Sequence, residues 1–235
     1  MNAQKLSKRL ETVASFVPTG AVVADIGSDH AYLPCYLVYN GVVTRAIAGE
    51  VVKGPFDSAL KQVKLEGLED NITVRLADGL KAIEESDNVD TITIAGMGGP
   101  LIVSILEKNP HALKTVTRLI LQPNIHAKVI RQWAIRNQWA ILEEVILKED
   151  EKIYEVLVLQ RGEMELTEQE ILLGKHLMAS KTDVFIEKWS KEIDNWKRIL
   201  ESIERAEDTS DIVKKREDVT HKIQLVEEAL NHEER

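Results

Sequence analysis

From about Gly20 to Gln160 the chain alternates short runs of β-branched and aliphatic residues with longer stretches whose apolar positions recur every three or four residues. That alternation is the pattern of βαβ units building a parallel sheet with helices on both faces. Seven runs read as strands: Ala21–Ile26, Arg45–Glu50, Ile72–Ala77, Thr91–Ala95, Arg118–Gln122, Ala140–Leu147 and Tyr154–Gln160. Only the charged stretch Lys148–Lys152 separates the last two, which is too short for a crossover helix. They are expected to pair as a hairpin, leaving one strand antiparallel to the rest. Ahead of the strands, Leu6, Leu10, Val13 and Val17 share one helical face, with Lys5, Lys8 and Arg9 at its start.

After Gly162 the strand pattern stops. Phe185, Trp189, Ile193, Trp196, Leu200 and Ile203 recur at steps of four and three, as do Ile212, Val219, Ile223, Val226 and Leu230 once Arg216 is given its place. Between the two series, Ala206–Asp211 offers Asp, Thr and Ser as turn and N-cap residues. The expectation is a sheet domain over 1–162 and a helical domain over 163–235, an antiparallel hairpin or coiled coil. The alternative is two helices that simply pack on the first domain.

At 235 residues and 44% hydrophobic, the chain is long enough for one ordinary domain and an appendage, and too apolar for disorder. The longest uncharged stretches, Thr91–Leu106 and His30–Thr44, contain Gly or Pro and are shorter than a membrane span. Cys35 has no partner cysteine and the first residues lack the apolar run of a signal peptide, so a reducing cytoplasm is expected. Six scattered histidines give no metal-ligand spacing, so no metal is expected. A net charge of -9 argues against nucleic acid for the chain as a whole. Residues 161–235 alone hold 13 Lys and Arg against 19 Asp and Glu, however, so much of the acidity belongs to the tail. Conversely, Lys108, Lys114, Arg118, Lys128, Arg131 and Arg136 fall in a window with no acidic residue.

In an open parallel sheet, ligands bind at the carboxyl ends of the strands. The first strand ends Ala24-Asp25-Ile26-Gly27-Ser28-Asp29-His30-Ala31, where Gly27 suits a tight turn. The dinucleotide fingerprint G-x-G-x-x-G then fails, because Asp29 and Tyr32 stand where its glycines would be. A carboxylate there repels phosphate and suits a cationic ligand such as S-adenosylmethionine, with its ammonium and sulfonium. The second strand ends at Glu50, placed to accept hydrogen bonds from ribose hydroxyls. The third ends Asp78-Gly79, an acceptor for an adenine amino group beside a residue that permits close approach. Singly, each carboxylate is more often a helix cap; three on successive strands favour an adenosyl ligand. The fourth strand ends in the glycine-rich loop Gly96-Met97-Gly98-Gly99, read equally well as a ligand-facing loop or a tight turn.

The segments LSKRL, VADIGSDHAYLP, AIAGE, DGL, TIAGMGG, RLILQPN and YEVLV resemble the bacterial tRNA adenine-N1 methyltransferases acting at position 22, the TrmK family. The resemblance runs from Leu6 to about Gln160, and the combination of GSDHAYLP, AGMGG and LQPN is specific. It implies a class I methyltransferase fold, α/β and Rossmann-like, with a seven-stranded sheet, S-adenosyl-L-methionine as donor and tRNA as acceptor. It implies a cofactor cleft lined by Asp25, Gly27, Ser28, Asp29, His30, Glu50, Val51, Asp78, Gly79, Gly96 and Met97. Enzymes that methylate the exocyclic amine of adenine place an Asp or Asn, two prolines and an aromatic after the fourth strand; here Ala95-Gly96-Met97-Gly98-Gly99 stands instead. Ring nitrogen N1 carries an in-plane lone pair, so no proton need leave before attack.

Asp29 is the candidate catalytic carboxylate for the positive charge that develops on the base, with a purely cofactor-binding role as the alternative. Tyr32, Gln122 and Asn124 are candidates for positioning the base, against packing and turn roles. Lys128, Arg131 and Arg136, with Lys5 and Arg9, are candidates for a phosphate-tracking rim, against ordinary solvated helix faces. Cys35 reads as core. A monomer is favoured over an oligomer. A methyltransferase of this fold with another substrate, or a non-catalytic RNA-binding adaptor, are the competing functions.

Overall fold

A computed structural model describes residues 4–203 and 209–231. The chain divides into two compact units, Met1–Glu165 and Leu166–Arg235. The first holds seven strands: β1 (Val22–Ile26), β2 (Arg45–Glu50), β3 (Ile72–Leu76), β4 (Thr91–Gly98), β5 (Arg118–Ile125), β6 (Trp139–Glu149) and β7 (Lys152–Arg161). Among the described residues, five α-helices accompany them: α1 (Lys8–Ser15), α2 (Tyr32–Tyr39), α3 (Lys53–Leu65), α4 (Gly99–Lys108) and α5 (Ala127–Arg136).

The strands form one sheet in the order β3-β2-β1-β4-β5-β7-β6. The pairings from β3 through β5 are parallel, and β7 is antiparallel to both β5 and β6. The hairpin turns at Asp150 and Glu151, both with positive φ (+47° and +61°), the backbone of a two-residue turn that matches strand twist. Its β5–β7–β6 edge places the last strands beside the parallel core rather than in a separate sheet.

Alternation along β5 shows why both sheet faces are covered. Ile120 joins the core built by Val13, Leu33, Cys35, Leu37, Ala59 and Val63 of α1–α3. Its neighbours Leu119 and Leu121 are equally buried on the opposite face, towards α4. On that face α4 meets α5 closely enough that a Cβ on Gly99 would lie 2.2 Å from the His126 carbonyl oxygen. Gly99 is therefore fixed by helix packing rather than by ligand access.

Four strands outrun the sequence reading, β6 and β7 by one or two residues at each end. β4 and β5 continue past Ala95 and Gln122 to pair Gly98 with Ile125 through two register shifts. The glycine-rich segment expected as a loop is thus the bulged end of a strand.

The second unit carries α6 (Glu168–Leu173), α7 (Lys175–Ser180), α8 (Asp183–Ile203) and α9 (Ser210–Asn231). Thr167 and Glu170 form a reciprocal capping box on α6. Phe185, Trp189, Ile193 and Ile203 are buried on α8, and Val219, Ile223, Val226 and Ala229 on α9. Lys181, just before α8, donates to the Leu230 carbonyl at 2.7 Å, so the start of α8 lies beside the end of α9. Of the expected turn, 206–208 lie outside the described residues; Thr209 Oγ1 accepts from the Ile212 N–H at 3.4 Å. No helix among the described residues is long and apolar enough to cross a membrane.

Candidate active site

The strand order reverses between β1 and β4, and the crevice this opens lies at the carboxyl ends of the strands. Asp25 sits at its floor, 4% exposed. Its Oδ2 accepts from Ser28 Oγ at 2.6 Å and its Oδ1 from Thr93 Oγ1 at 2.7 Å, tying β1 to β4 and to the following turn. Burial pushes its carboxyl above the ordinary value, against the lowering effect of those hydroxyls and of the Arg9 charge. Both Asp25 oxygens are thus engaged, one by Ser28 and one by Thr93.

Gly27 is required by its backbone conformation, whereas the flexible side chain beside it can give way. Its φ of +72° is a left-handed conformation, and a Cβ there would lie 2.1 Å from Met97 Cε, which packs across it from β4. Beyond it Asp29, His30 and Ala31 all have positive φ (+36°, +56° and +54°), three consecutive non-glycine residues in a region that costs each about 1–2 kcal/mol.

The bonds that hold this turn come from its neighbours. The Asp29 N–H donates to Glu50 Oε1, and the Ala31 carbonyl accepts from the Cys35 N–H at 3.0 Å to open α2. His30 stacks on Tyr32 with ring centres 5.2 Å apart, and its Nε2 lies 3.4 Å from Asp29 Oδ1. Glu50 is itself buried. Desolvation raises its pKa, the Asp29 N–H lowers it, the Asp25 and Asp29 carboxylates raise it and His30 lowers it. Val51, next along, is 62% exposed.

At the end of β3, Asp78 is half exposed and lies 3.4 Å from Lys108 Nζ. Gly79, with φ +58°, has Ile105 within 3.1 Å of where a Cβ would be. The β1–β3 side of the crevice thus presents Asp29, Glu50 and Asp78, a set of acceptor oxygens for hydroxyl, amine and ammonium groups.

The β4–β5 side differs from the sequence expectation. Gln122 is fully buried, so it is not a base contact. Its Oε1 accepts from the Gly96 N–H at 2.9 Å and from Arg9 Nη1, and its Nε2 donates to the Pro123 carbonyl at 2.9 Å. Asn124, although exposed, donates from Nδ2 to the Gly96 carbonyl at 2.8 Å. Together the two amides hold both polar ends of the Gly96 residue, whose φ is +79°. Arg9 also lies over the Tyr154 ring at 5.5 Å. Its Nη1 thus lies beside Gly96, 3.6 Å from where a Cβ of that glycine would be.

Arg131 is a second correction. It is fully buried on the inner face of α5, with Nε 2.6 Å from Glu144 Oε1 and Nη2 2.5 Å from Glu155 Oε2. A guanidinium shut between two buried carboxylates cannot meet a phosphate. Lys128 is half-buried, Arg136 and Lys5 are exposed, and Arg136 Nε donates to the Gln132 carbonyl.

Three contributors escaped the sequence reading. Thr93 braces Asp25, and Tyr154 backs Arg9. Glu149 accepts from the N–H groups of Lys8 at 2.6 Å and Arg9 at 3.3 Å, fixing the start of α1. Thr93 was visible as a polar residue at an inward strand position; the other two are far from the crevice in sequence and carried no local signal.

The family model for TrmK, tRNA (adenine(22)-N(1))-methyltransferase, matches residues 23–228. The tRNA (adenine(22)-N(1))-methyltransferase of Bacillus subtilis is 48% identical over 238 residues, covering 99% of this chain and all of that one. The crystal structure of the B. subtilis M1A22 tRNA methyltransferase TrmK superposes with a TM-score of 0.93 at 46% identity, covering 97% of this chain and 100% of the other. A Streptococcus pneumoniae protein solved in complex with S-adenosyl-L-methionine gives 0.89 at 46% identity, with 97% and 100% covered. With a family match over most of its length and a relative of this identity over the whole of it, the chain belongs to the tRNA (adenine(22)-N(1))-methyltransferase family.

Proposed function

We propose that the chain transfers a methyl group from S-adenosyl-L-methionine to N1 of adenine 22 in tRNA. The observation that carries this reading is the division of the crevice. Acceptor carboxylates Glu50, Asp78 and Asp29 stand at the β1–β3 ends, and a β4 end without any acid–base side chain, Ala95–Gly99, faces them across the switch point. Glu50, buried and bonded to the Asp29 N–H through one oxygen, keeps acceptor capacity for ribose hydroxyls. Asp78 offers an acceptor to the adenine amine, with the exposed Val51 as apolar surface for the ring. The donor supplies an electrophilic methyl on a sulfonium.

On the acceptor side the chain has to position rather than activate. N1 attacks through a lone pair it already holds, so no general base is needed, and the bare β4 end leaves room for the ring. Asp29 is the carboxylate assigned to the charge that develops on the methylated base. Lys128, Arg136 and Lys5 are assigned to phosphates, and Arg9, held at Gly96 by Gln122, to the nucleotide entering the crevice. The domain boundary near residue 162, a monomeric state and a cytoplasmic location, where tRNA is found, belong to the same reading.

The test is incubation with methyl-labelled S-adenosyl-L-methionine and unmodified tRNA, nuclease digestion and nucleoside separation. Label in N1-methyladenosine, lost when adenine 22 is replaced by guanine, is expected; label in another nucleoside or none would sink the reading. Asp29→Ala should lower turnover far more than cofactor affinity, and equal losses would leave Asp29 a cofactor ligand only.

A further inference from the structure

The end of β5 is shaped for a task that methyl transfer alone does not explain. β4 and β5 stay paired beyond Ala95 and Gln122, out to Gly98 and Ile125. Beyond the fully buried Leu121, Gln122 and Pro123, the strand emerges and Ile125 is 61% exposed. A Cβ built on Gly98 would meet Ile125 Cγ1 at 3.8 Å and Pro100 Cδ at 3.9 Å, so isoleucine and proline flank the same glycine. Leu101, the next residue in the first turn of α4, is 53% exposed. Pro100 and Ile125 thus form an exposed apolar rim about Gly98, with the exposed Leu101 next to Pro100 in the chain. The rim is fixed from beneath by the Gln122 and Asn124 bonds to Gly96.

We propose that Ile125 and Leu101 form a wedge that enters the base stack of the tRNA and holds adenine 22 out of it. This inference rests on the reading of the chain as an N1 methyltransferase. N1 lies on the pairing edge of adenine, and an enzyme acting on that edge in folded RNA has to take the base out of its stack. The space left behind is filled at least cost by an apolar side chain. The flanking charge suits RNA: from Lys108 to Arg136 the chain has no acidic residue, and Lys128 and Arg136 lie on α5, which begins two residues after Ile125. Exposed apolar side chains, followed in the chain by the half-buried Lys128 and the exposed Arg136, match a base stack bordered by phosphates.

The experiment uses the full chain with Leu101→Ser, Ile125→Ser and the double substitution, on two RNAs. One is the unmodified tRNA and the other the same tRNA with an abasic site facing adenine 22. Single-turnover methylation, cofactor affinity, and fluorescence of 2-aminopurine at position 22 are read. The double variant is expected to lose about ten- to hundredfold in rate on the intact tRNA, the span of a base-unstacking step. It should lose little on the abasic tRNA, keep its cofactor affinity, and fail to raise 2-aminopurine fluorescence as the unsubstituted protein does. Ile125→Met, which restores apolar bulk, should recover the rate. Equal losses on both RNAs, or no loss on either, would overturn the wedge; the latter would assign the rim to a protein partner. If the unsubstituted protein left N1 of adenine 22 unmethylated, the functional reading beneath would fail instead, and the two failures are told apart in one assay.

Discussion

Replacing Gln122 by leucine tests whether the bulged end of β4 is held in place by side-chain amides. The native side chain satisfies four groups: it accepts from the Gly96 N–H and Arg9 Nη1, and donates to the Pro123 carbonyl and, at 3.4 Å, to Asn124 Oδ1. Leucine has similar bulk and removes all four. A hydrogen bond to a charged group contributes about 1.5–3 kcal/mol and a neutral one about 0.5–1.5. Gly96 is exposed and Arg9 is half-buried, so water recovers part of their loss, whereas the buried Pro123 carbonyl has less recourse. Against a gain of about 1 kcal/mol from the more apolar side chain, the net expectation is a destabilisation of about 2–3 kcal/mol.

The functional effect should exceed what that stability loss implies, because the proposed reading sets the acceptor ring against Gly96 and a displacement of about 1 Å there costs on the order of a hundredfold in rate. Urea unfolding at neutral pH measures the first quantity, and kcat/KM for tRNA beside cofactor affinity the second. Gln122→Glu separates the contacts. It keeps both acceptor functions and strengthens the Arg9 pair, but turns a carboxylate toward two oxygens. Its stability should therefore improve as pH falls and the carboxyl protonates, since its O–H can then donate to Pro123. Gln122→Leu unfolding within about 0.5 kcal/mol of the native chain, with unchanged turnover, would refute the clamp.

Four further outcomes are expected. Arg131→Met strands the buried Glu144 and Glu155 and should cost about 3–5 kcal/mol in urea without changing the salt dependence of tRNA binding. By contrast, Lys128→Ala and Arg136→Ala should each lower that log–log slope by about one; a reduced slope with full stability in Arg131→Met would contradict its burial. Because burial raises Asp25 above its ordinary value of 3.8, the native state binds more protons than the unfolded chain just above that pH, so stability falls as pH rises there. Asp25→Asn should flatten this part of the stability–pH profile while the same-sign contribution of Glu50 persists, and an unaltered profile would show that Asp25 does not carry it. Cys35, fully buried with its thiol pushed up to about 12, should react with iodoacetamide only as fast as the chain unfolds, and rapid labelling under native conditions would disprove that.

The strands of the first unit were legible because parallel strands covered on both faces are written as short β-branched and aliphatic runs, and β2 falls on Arg45–Glu50 as read. The strand ends were less so. Past Ala95 the pairing of β4 depends on Gln122 and Asn124 reaching Gly96, a contact between residues 26 and 28 positions apart that no local pattern records. Arg131 shows the same limit. Its partner Glu144 faces inward because a register shift between Ile141 and Glu143 changes the phase of β6 and leaves Leu142 exposed instead. Without knowledge of that bulge, a count of basic residues on α5 assigns Arg131 to solvent.

Once Arg131 is withdrawn from the basic window, the electrostatics of the crevice follow the order of the strands. β1, β2 and β3 end in or next to Asp29, Glu50 and Asp78, and this half of the sheet offers acceptors to a ligand bearing ammonium, hydroxyl and amine groups. β4 and β5 end in backbone, amides and apolar side chains, backed by Arg9 and followed by the acid-free helix α5. A net charge of -9 averages over these two halves and over the acidic helical unit. The distance over which a charge acts in physiological salt is about 8 Å, shorter than the sheet is wide. A phosphate approaching the β4–β5 side therefore responds to Arg9, Lys128 and Arg136 far more than to Glu50 and Asp78 at the β2 and β3 ends, and an acidic chain can bind an RNA there while holding a cationic donor on the other side of the switch point.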